Sequence, residues 1–163
     1  MNIKKEVNKL LESVGLSTDF LDRYPHELSG GQAKRISIAR AIALKPKLLI
    51  ADEPTAGLDV SVQGEILNLL RKIQDNYGMS ILIISHNLNV IRHITDDLAV
   101  MYFGKIMEKG STVKIFKSPK HPYTKALTSL IKKIDLDHKF KKIELKGEVP
   151  SIFERKSGCV FSS

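Results

Sequence analysis

The spacing of apolar residues predicts two helices and a strand in the first third of the chain. Apolar positions recur at helical spacing from residue 3 to residue 14, and Gly15 follows as a C-cap, so the chain is predicted to open with an amphipathic helix. Glycines at residues 30 and 31 interrupt the pattern ahead of a second predicted helix at about residues 32–44. The next apolar run, residues 48–51, is continuous, which is typical of a strand buried on both faces.

A second strand is predicted after one more helix. Asp59 offers an N-cap to a helix with a single apolar face, Gly78 ends that helix, and residues 80–85 form another buried strand. Strand, helix and strand in this order are typical of a right-handed crossover in a parallel sheet. The predicted fold class is therefore α/β.

The rest of the chain is predicted to contain a hairpin and shorter helices. After a helix at about residues 87–95, two apolar segments flank Phe103 and Gly104 and indicate a β-hairpin. A short helix through Lys117 follows, and Pro122 fits the first turn of another helix. The predicted apolar face of that last helix consists of Tyr123, Leu127, Leu130, Ile131 and Ile134.

Composition indicates a globular chain of about one domain. Of its 163 residues, 42% are hydrophobic and 27% are charged, which excludes disordered and collagen-like classes. No apolar run approaches the ~18 residues of a membrane span, and the first residues lack the order of a signal peptide. Cys159 is the single cysteine and cannot form an internal disulfide. We therefore expect a protein kept in a reducing cytosol.

The net charge of +8 is concentrated at the end of the chain. Residues 1–116 carry 15 basic and 13 acidic side chains, whereas residues 117–163 carry 11 and 5. A basic tail could face nucleic acid or an anionic membrane surface. Its lysines alternate with apolar residues and lack the aromatic spacing of a single-strand binder, which favours a solvated helical face.

Polar side chains follow both predicted parallel strands. Because ligands of α/β folds bind at the carboxyl ends of strands, Asp52 and Glu53 are expected beside Ser85 and His86. In a phosphoryl-transfer site, the first carboxylate would hold Mg²⁺, the second would polarise water and the histidine would donate to a terminal phosphate. The alternative is structural, because a strand leaving the core meets polar residues and a histidine there is often a turn residue.

A serine and two glycines precede the second predicted helix. The Ser29 hydroxyl and the amides of Gly30 and Gly31 would meet an anion at a helix N-terminus, where the helix dipole favours negative charge. The alternative is an ordinary N-cap with two flexible glycines, and Asp59 has the same alternative as a plain helix cap.

Four motifs in this order resemble the nucleotide-binding subunit of ABC transporters. Leu28–Gln32 is similar to the signature motif of that family, Leu48–Glu53 to its Walker B strand, Ala56–Asp59 to its D-loop and His86 to its switch histidine. Ala33 stands where an arginine is common, and Ala56 and Gly57 replace the usual Ser-Ala, but neither departure removes a catalytic group.

The resemblance implies a role for each matching residue. Asp52 would help to hold Mg²⁺, usually through water, Glu53 would be the general base and His86 would contact the γ-phosphate of ATP. Asp59 would act across a dimer interface. The residues that would contact the nucleotide of a facing subunit are Ser29, Gly30, Gly31 and Gln32.

The tail resembles the ATPases of oligopeptide, dipeptide and nickel importers. The matching segments are His121–Thr124, Gly147–Ser151 and Gly158–Phe161. Some members of that class bind an iron-sulfur cluster here, but a cluster needs about four thiolates and Cys159 is a single one. We therefore expect ATP and Mg²⁺ as cofactors and no iron-sulfur cluster.

No Walker A motif is present in these 163 residues, because no glycine is followed by Lys-Ser or Lys-Thr. We therefore expect the C-terminal portion of an importer ATPase, with little or no ATPase activity alone, because phosphoryl transfer depends on a positioned substrate. Two alternatives remain. The chain could be a non-catalytic half-domain that offers its signature motif to the ATP site of a partner, or an ABC ATPase outside transport that acts on DNA or ribosomes.

The resemblance also implies the organisation and the partners. The fold would be an incomplete parallel sheet of the P-loop NTPase type with part of the helical signature subdomain and a small C-terminal extension. Residues 1–117 would belong to the nucleotide-binding domain and residues 118–163 to the extension. The partners would be a second ABC ATPase subunit in a homodimer or heterodimer, membrane-spanning permease subunits and an extracytoplasmic substrate-binding protein, with no nucleic acid. The chain would lie at the cytoplasmic face of the plasma membrane.

Overall fold

A computed structural model describes residues 3–131 and Phe161. The chain divides into two compact units, Met1–His86 and Asn87–Ser163. Ile134, the 147–151 segment and Cys159 lie outside the described residues. The division into a nucleotide-binding domain at 1–117 and an extension at 118–163 stays a prediction.

The first unit contains helices and two strands in the predicted order. Its elements are α1 (Ile3–Ser13), 3₁₀ turns at Thr18–Phe20 and Pro25–Glu27, α2 (Gly30–Ile42), β1 (Leu48–Asp52), α3 (Val60–Tyr77) and β2 (Ser80–Ile84). Gly15 and Gly78 follow α1 and α3 with φ values of 72° and 62°, which glycine adopts without steric cost. Helix α2 begins two residues earlier than predicted, because Ser29 caps it and the two glycines form its first turn.

Strands β1 and β2 are parallel, with Ile50 opposite Leu82 in the register. This confirms the predicted strand, helix and strand unit, in which α3 is the crossover and buries Ile66, Leu70 and Ile73. The prediction that both faces of the strands are buried is wrong: one face is partly buried, with Ala51, Ile81 and Ile83 at intermediate exposure, and the other face is exposed. Leu49 is buried, but four apolar side chains on the opposite face are at least half exposed. This exposed sheet face consists of Leu48, Ile50, Leu82 and Ile84.

The described residues of the second unit form a hairpin and three helices. Its elements are α4 (Leu88–Ile94), β3 (Asp97–Tyr102), β4 (Lys105–Ser111), α5 (Thr112–Lys117) and α6 (Pro122–Ser129). The hairpin is confirmed, with Phe103 and Gly104 both at positive φ in its two-residue turn. The Glu108 carboxylate accepts the amides of Lys120 and His121 at 2.9 and 3.0 Å, so it ties the start of α6 to β4.

The buried face of α6 differs from the prediction. Thr124, Ala126 and Thr128 are its buried residues, whereas Leu130 is half exposed. For Leu130 and Ile131 the reason is the length of the helix, because Ser129 is its last residue and both positions lie beyond it. Tyr123 and Leu127 lie within the helix and are partly buried. Among the described residues, no helix is long and apolar enough to cross a membrane.

Candidate functional site

The loop after β1 is held in an unusual backbone conformation at Glu53. Its φ is +44°, a left-handed value that costs a residue with a side chain about 1–2 kcal/mol. Two backbone hydrogen bonds hold it there, because the Glu53 amide donates to the Ile84 carbonyl at 2.9 Å and its carbonyl accepts from the Ala56 amide at 3.1 Å. The Lys34 ammonium lies 3.4 Å from the same carbonyl. These contacts fix where the Glu53 side chain leaves the backbone.

The Glu53 carboxylate is bound to the end of β2. Oε1 accepts the backbone amide of His86 at 2.9 Å and lies 2.6 Å from Nδ1 of its ring, and Oε2 accepts the Ser85 hydroxyl at 3.2 Å. The predicted adjacency of the two strand ends is therefore confirmed. An ionised carboxylate only accepts hydrogen bonds, so Nδ1 carries a proton and Nε2 is left for another partner.

These hydrogen bonds lower the pKa of Glu53 below its ordinary value. The largest cause is the side-chain hydrogen bond with His86, followed by the bond from the backbone amide of His86, and partial burial opposes both. Glu53 is therefore ionised at neutral pH, which is the state that a proton acceptor requires.

Asp52 lies next to this pair but is not part of its hydrogen-bond network. Its side chain is exposed and has no hydrogen bond or ion pair within the described part of the chain. In the same part of the chain, no group of three or more His, Cys, Asp or Glu side chains could enclose a metal ion. A single free carboxylate fits Mg²⁺ of the kind that keeps several waters and is shared with substrate phosphates.

Ser29 and Gln32 cap α2 reciprocally. The Ser29 hydroxyl oxygen accepts the Gln32 amide at 3.3 Å, and the Gln32 side-chain oxygen accepts the Ser29 amide at 2.9 Å. Both side chains act as acceptors in this box, so the Ser29 hydroxyl proton and the Gln32 NH₂ group are left as donors. The capping alternative is therefore present in the structure, and it is compatible with anion binding.

Asp59 is also a helix cap, because its Oδ1 accepts the Val62 amide at the start of α3 at 3.0 Å. Direct packing brings the first turn of α2 to the start of α3, with Gly30 and Gly31 against Leu58 and Val62. The predicted site residues thus form two groups within the first unit. No hydrogen bond joins Ser29, Gln32 or Asp59 to Glu53 or His86 in the described residues.

Two basic residues of α2 with long-range contacts were missed by the sequence analysis. Lys34 reaches the Glu53 carbonyl, and Arg35 donates to the Val14 carbonyl and to the Glu65 carboxylate, both at 2.8 Å. Their contacts span 19 to 30 positions in the sequence. No local pattern could have identified these partners.

Comparison with known proteins places these motifs in a family. The model of the ABC transporter family matches residues 2–56, and that of the oligopeptide/dipeptide transporter C-terminal region matches residues 107–163. The dipeptide transport ATP-binding protein DppF of Haemophilus influenzae is 46% identical over 159 residues, which cover 98% of this chain and 49% of that protein. The chain belongs to the ABC transporter ATP-binding family. It resembles the C-terminal portion of these subunits.

Further relatives and solved structures agree with this assignment. The oligopeptide transport ATP-binding protein AppF of Bacillus subtilis is 47% identical over 159 residues, covering 96% of this chain and 48% of that protein. The ADP conformation of the ATP-binding cassette MJ1267 superposes with a TM-score of 0.65 at 33% identity, covering 74% of this chain and 48% of that one. The structure of CbiO1 from Clostridium perfringens superposes with a TM-score of 0.67 at 33% identity, covering 83% of this chain and 50% of that one.

The chain spans about half the length of the curated relatives that it matches. The structural neighbours are ABC cassettes, so the predicted fold class, a partial parallel sheet of the P-loop NTPase type, is confirmed.

Proposed function

We propose that the chain is part of the ATP-binding and ATP-hydrolysing subunit of an ABC importer for oligopeptides, dipeptides or nickel. The observation that carries this proposal is the Glu53–His86 pair, in which a carboxylate at the end of one parallel strand is bound to the first residue after the next. The names of the relatives, which are dipeptide and oligopeptide transport ATP-binding proteins, support the peptides in this transported class.

Glu53 is the general base in this proposal. Its carboxylate is ionised, its backbone is fixed from three sides, and 32% of its side chain remains exposed, so water can reach it. His86 holds the carboxylate through its Nδ1–H and presents Nε2 to the γ-phosphate of ATP. Nε2 donates to the phosphate only in the cationic form of the ring, in which both nitrogens carry a proton. Asp52 is free to hold Mg²⁺, which when bound neutralises the charge that develops on the phosphates.

The Ser29–Gln32 segment and Asp59 serve a second subunit in this proposal. The free donors of Ser29 and Gln32, with the amides of Gly30 and Gly31 at the helix N-terminus, suit the phosphates of an ATP that the facing subunit binds. We also propose permease subunits and an extracytoplasmic substrate-binding protein as partners. The complex would place this chain at the cytoplasmic face of the plasma membrane.

A second candidate is supported by the same capping geometry. In this candidate the chain acts only as the donor of the Ser29–Gln32 segment, whose free donors face the ATP site of a competent partner. A mixed dimer separates the two candidates when this chain is joined to the N-terminal half of a full-length relative, so that a Walker A motif is present, and is paired with a full-length relative. If ATP hydrolysis is lost when Glu53 of this chain is replaced, the first candidate is supported. If hydrolysis requires the chain but continues after Glu53 is replaced, the second candidate is supported.

The catalytic test uses a chimaera in which the N-terminal half of a full-length dipeptide transport ATP-binding relative precedes this chain. We expect Glu53→Gln to lower ATP turnover by about 10²–10⁴-fold while nucleotide binding is retained, because the amide cannot accept the proton. Glu12→Gln is the matched control, since Glu12 is exposed and its side chain has no hydrogen bond in the described part. Normal hydrolysis by Glu53→Gln would disprove the role of base.

A further inference from the structure

The first turn of α2 approaches the start of α3 more closely than a residue with a side chain allows. A Cβ atom built on Gly31 lies 2.8 Å from Cγ1 of Val62, and one built on Gly30 lies 3.2 Å from Cδ2 of Leu58. Carbon atoms in contact prefer about 3.5–4.0 Å. At Gly31, therefore, either Val62 or the helix must move before any other residue fits.

The contacts between the two helices follow the same order along both. Gly30 lies against Leu58 and Gly31 against Val62, and further along Arg35 binds Glu65 at 2.8 Å. The caps of the two helices, at residues 29 and 59, therefore lie at the same end. A change in the separation of the helices at Gly31 moves these two caps relative to each other.

We propose that Val62 is a positioning residue that sets the separation between the Ser29–Gln32 segment and the Asp59 loop, and that position 31 must be glycine for this packing. Leu58 makes the neighbouring, looser contact. This inference rests on the proposed function, in which the Ser29–Gln32 segment and Asp59 face one partner subunit. It assigns a geometric role to Val62, which faces no nucleotide in that proposal.

A packing role and a nucleotide-contact role for Gly31 predict different results in a double variant. If the added methyl group of Gly31→Ala collides with Val62, then Val62→Ala removes the colliding methyl groups and makes room for it. If the methyl group instead blocks the nucleotide, a change at Val62 cannot help.

The first measurement is thermal unfolding of the 163-residue chain. We expect Gly31→Ala to lower the Tm by roughly 3–8 °C, as overpacking does, and to cost little in the Val62→Ala background. Gly64→Ala is the matched control, because it lies within α3 and a Cβ there meets nothing within 4 Å. Since alanine favours helix over glycine, the control is expected to raise the Tm by roughly 2–4 °C.

Hydrogen exchange locates the effect in the two caps. The amides of Gln32 and Val62 are bound by the Ser29 and Asp59 side chains. In Gly31→Ala both amides are expected to exchange faster than in the parent chain, and in the double variant both return towards the parent rates. If the Val62 amide does not exchange faster in Gly31→Ala, the coupling of the Ser29–Gln32 segment to the Asp59 loop is overturned.

The second measurement is ATP-dependent association of the chain with a full-length dipeptide transport ATP-binding relative. We expect Gly31→Ala to weaken it about tenfold and Val62→Ala to restore it in the double variant. Rescue of both Tm and association supports the proposal. Rescue of the Tm alone shows a structural contact and overturns the positioning role, and rescue of neither overturns the packing. If the parent chain shows no ATP-dependent association, the proposed function fails, while the Tm and exchange results still decide the packing.

Discussion

Glu53 shows at the scale of one residue how a strained backbone and a side chain support each other. Its left-handed φ is uncommon for a residue with a Cβ, and such residues persist where the surroundings fix them. Here the Ile84 carbonyl, the Ala56 amide and Lys34 fix the backbone, while His86 and Ser85 fix the carboxylate. The carboxylate of the proposed base is therefore positioned before any ligand binds.

The lowered pKa of Glu53 predicts a pH dependence of stability. A carboxyl group whose pKa is lower in the folded than in the unfolded chain stabilises the fold above its unfolded pKa, and this contribution is lost as the pH falls through the folded pKa. We expect the Tm difference between the parent chain and Glu53→Gln to be largest at neutral pH and to shrink as the pH falls below about 4.3. Thermal unfolding across this range measures it.

The control removes the cause of the shift. In a His86→Ala background the main hydrogen bond to the carboxylate is lost, so the pH dependence of the Glu53→Gln difference should be much smaller. A Tm difference that does not change with pH in the parent background would contradict the lowered pKa.

At the scale of elements, α2 and α3 begin with side-chain caps that are also predicted site residues. Ser29 and Asp59 each accept an amide of the first turn, so they satisfy donors that would otherwise lack a partner. The same positions place polar groups at the N-terminal ends of the two helices. Only a substitution that retains capping while it removes ligand recognition, or the reverse, can therefore distinguish the two roles.

Asp59 permits this separation. We expect Asp59→Ala to destabilise the chain by about 1 kcal/mol, which corresponds to a Tm lower by roughly 2–4 °C, because the Val62 amide loses its acceptor. Asp59→Asn retains a capping oxygen and should keep the parent Tm. Asp75→Ala, an exposed change near the end of the same helix, is the control.

The proposed interface role of Asp59 is tested with the same variants. If Asp59 acts across the dimer, Asp59→Asn in the chimaera keeps its Tm and loses ATPase activity. Parent activity in this stable variant would leave capping as the only role of Asp59.

At the scale of the whole molecule, the exposed sheet face is the feature with the largest consequence. Leu48, Ile50, Leu82 and Ile84 lie on one face of the parallel pair β1–β2, and each is at least half exposed. Contiguous apolar surface of this kind favours association, and a two-stranded sheet also leaves its outer backbone groups open to pairing.

We therefore expect the 163-residue chain to self-associate as its concentration rises. Ile50→Thr with Leu82→Thr should lower this association, because threonine suits a strand and both side chains are half exposed or more. Sedimentation velocity over a range of concentrations measures it. Leu44→Thr changes a 92% exposed leucine outside the face and should have no effect. Equal association of the double variant and the parent would contradict the role of this face.

The sequence by itself determined the order and type of the elements and the motifs of the family. These rest on signals that act over a few residues, such as the Ser29 and Asp59 caps, the left-handed Gly15 and Gly78, and the apolar run of β1. The parallel topology followed from the order of strand and helix, and the strand-end adjacency of Glu53 and His86 followed from the topology.

Only the tertiary structure decided which groups meet across long stretches of chain and which surfaces remain exposed. The hydrogen bonds of the Glu53 carboxylate, the approach of Gly31 to Val62 and the contacts of Lys34 and Arg35 join residues that are 19 or more positions apart. The apolar pattern of the strands could not show that one face is exposed, because hydrophobicity records the tendency of a side chain to be buried. Burial itself requires a neighbouring element to cover it.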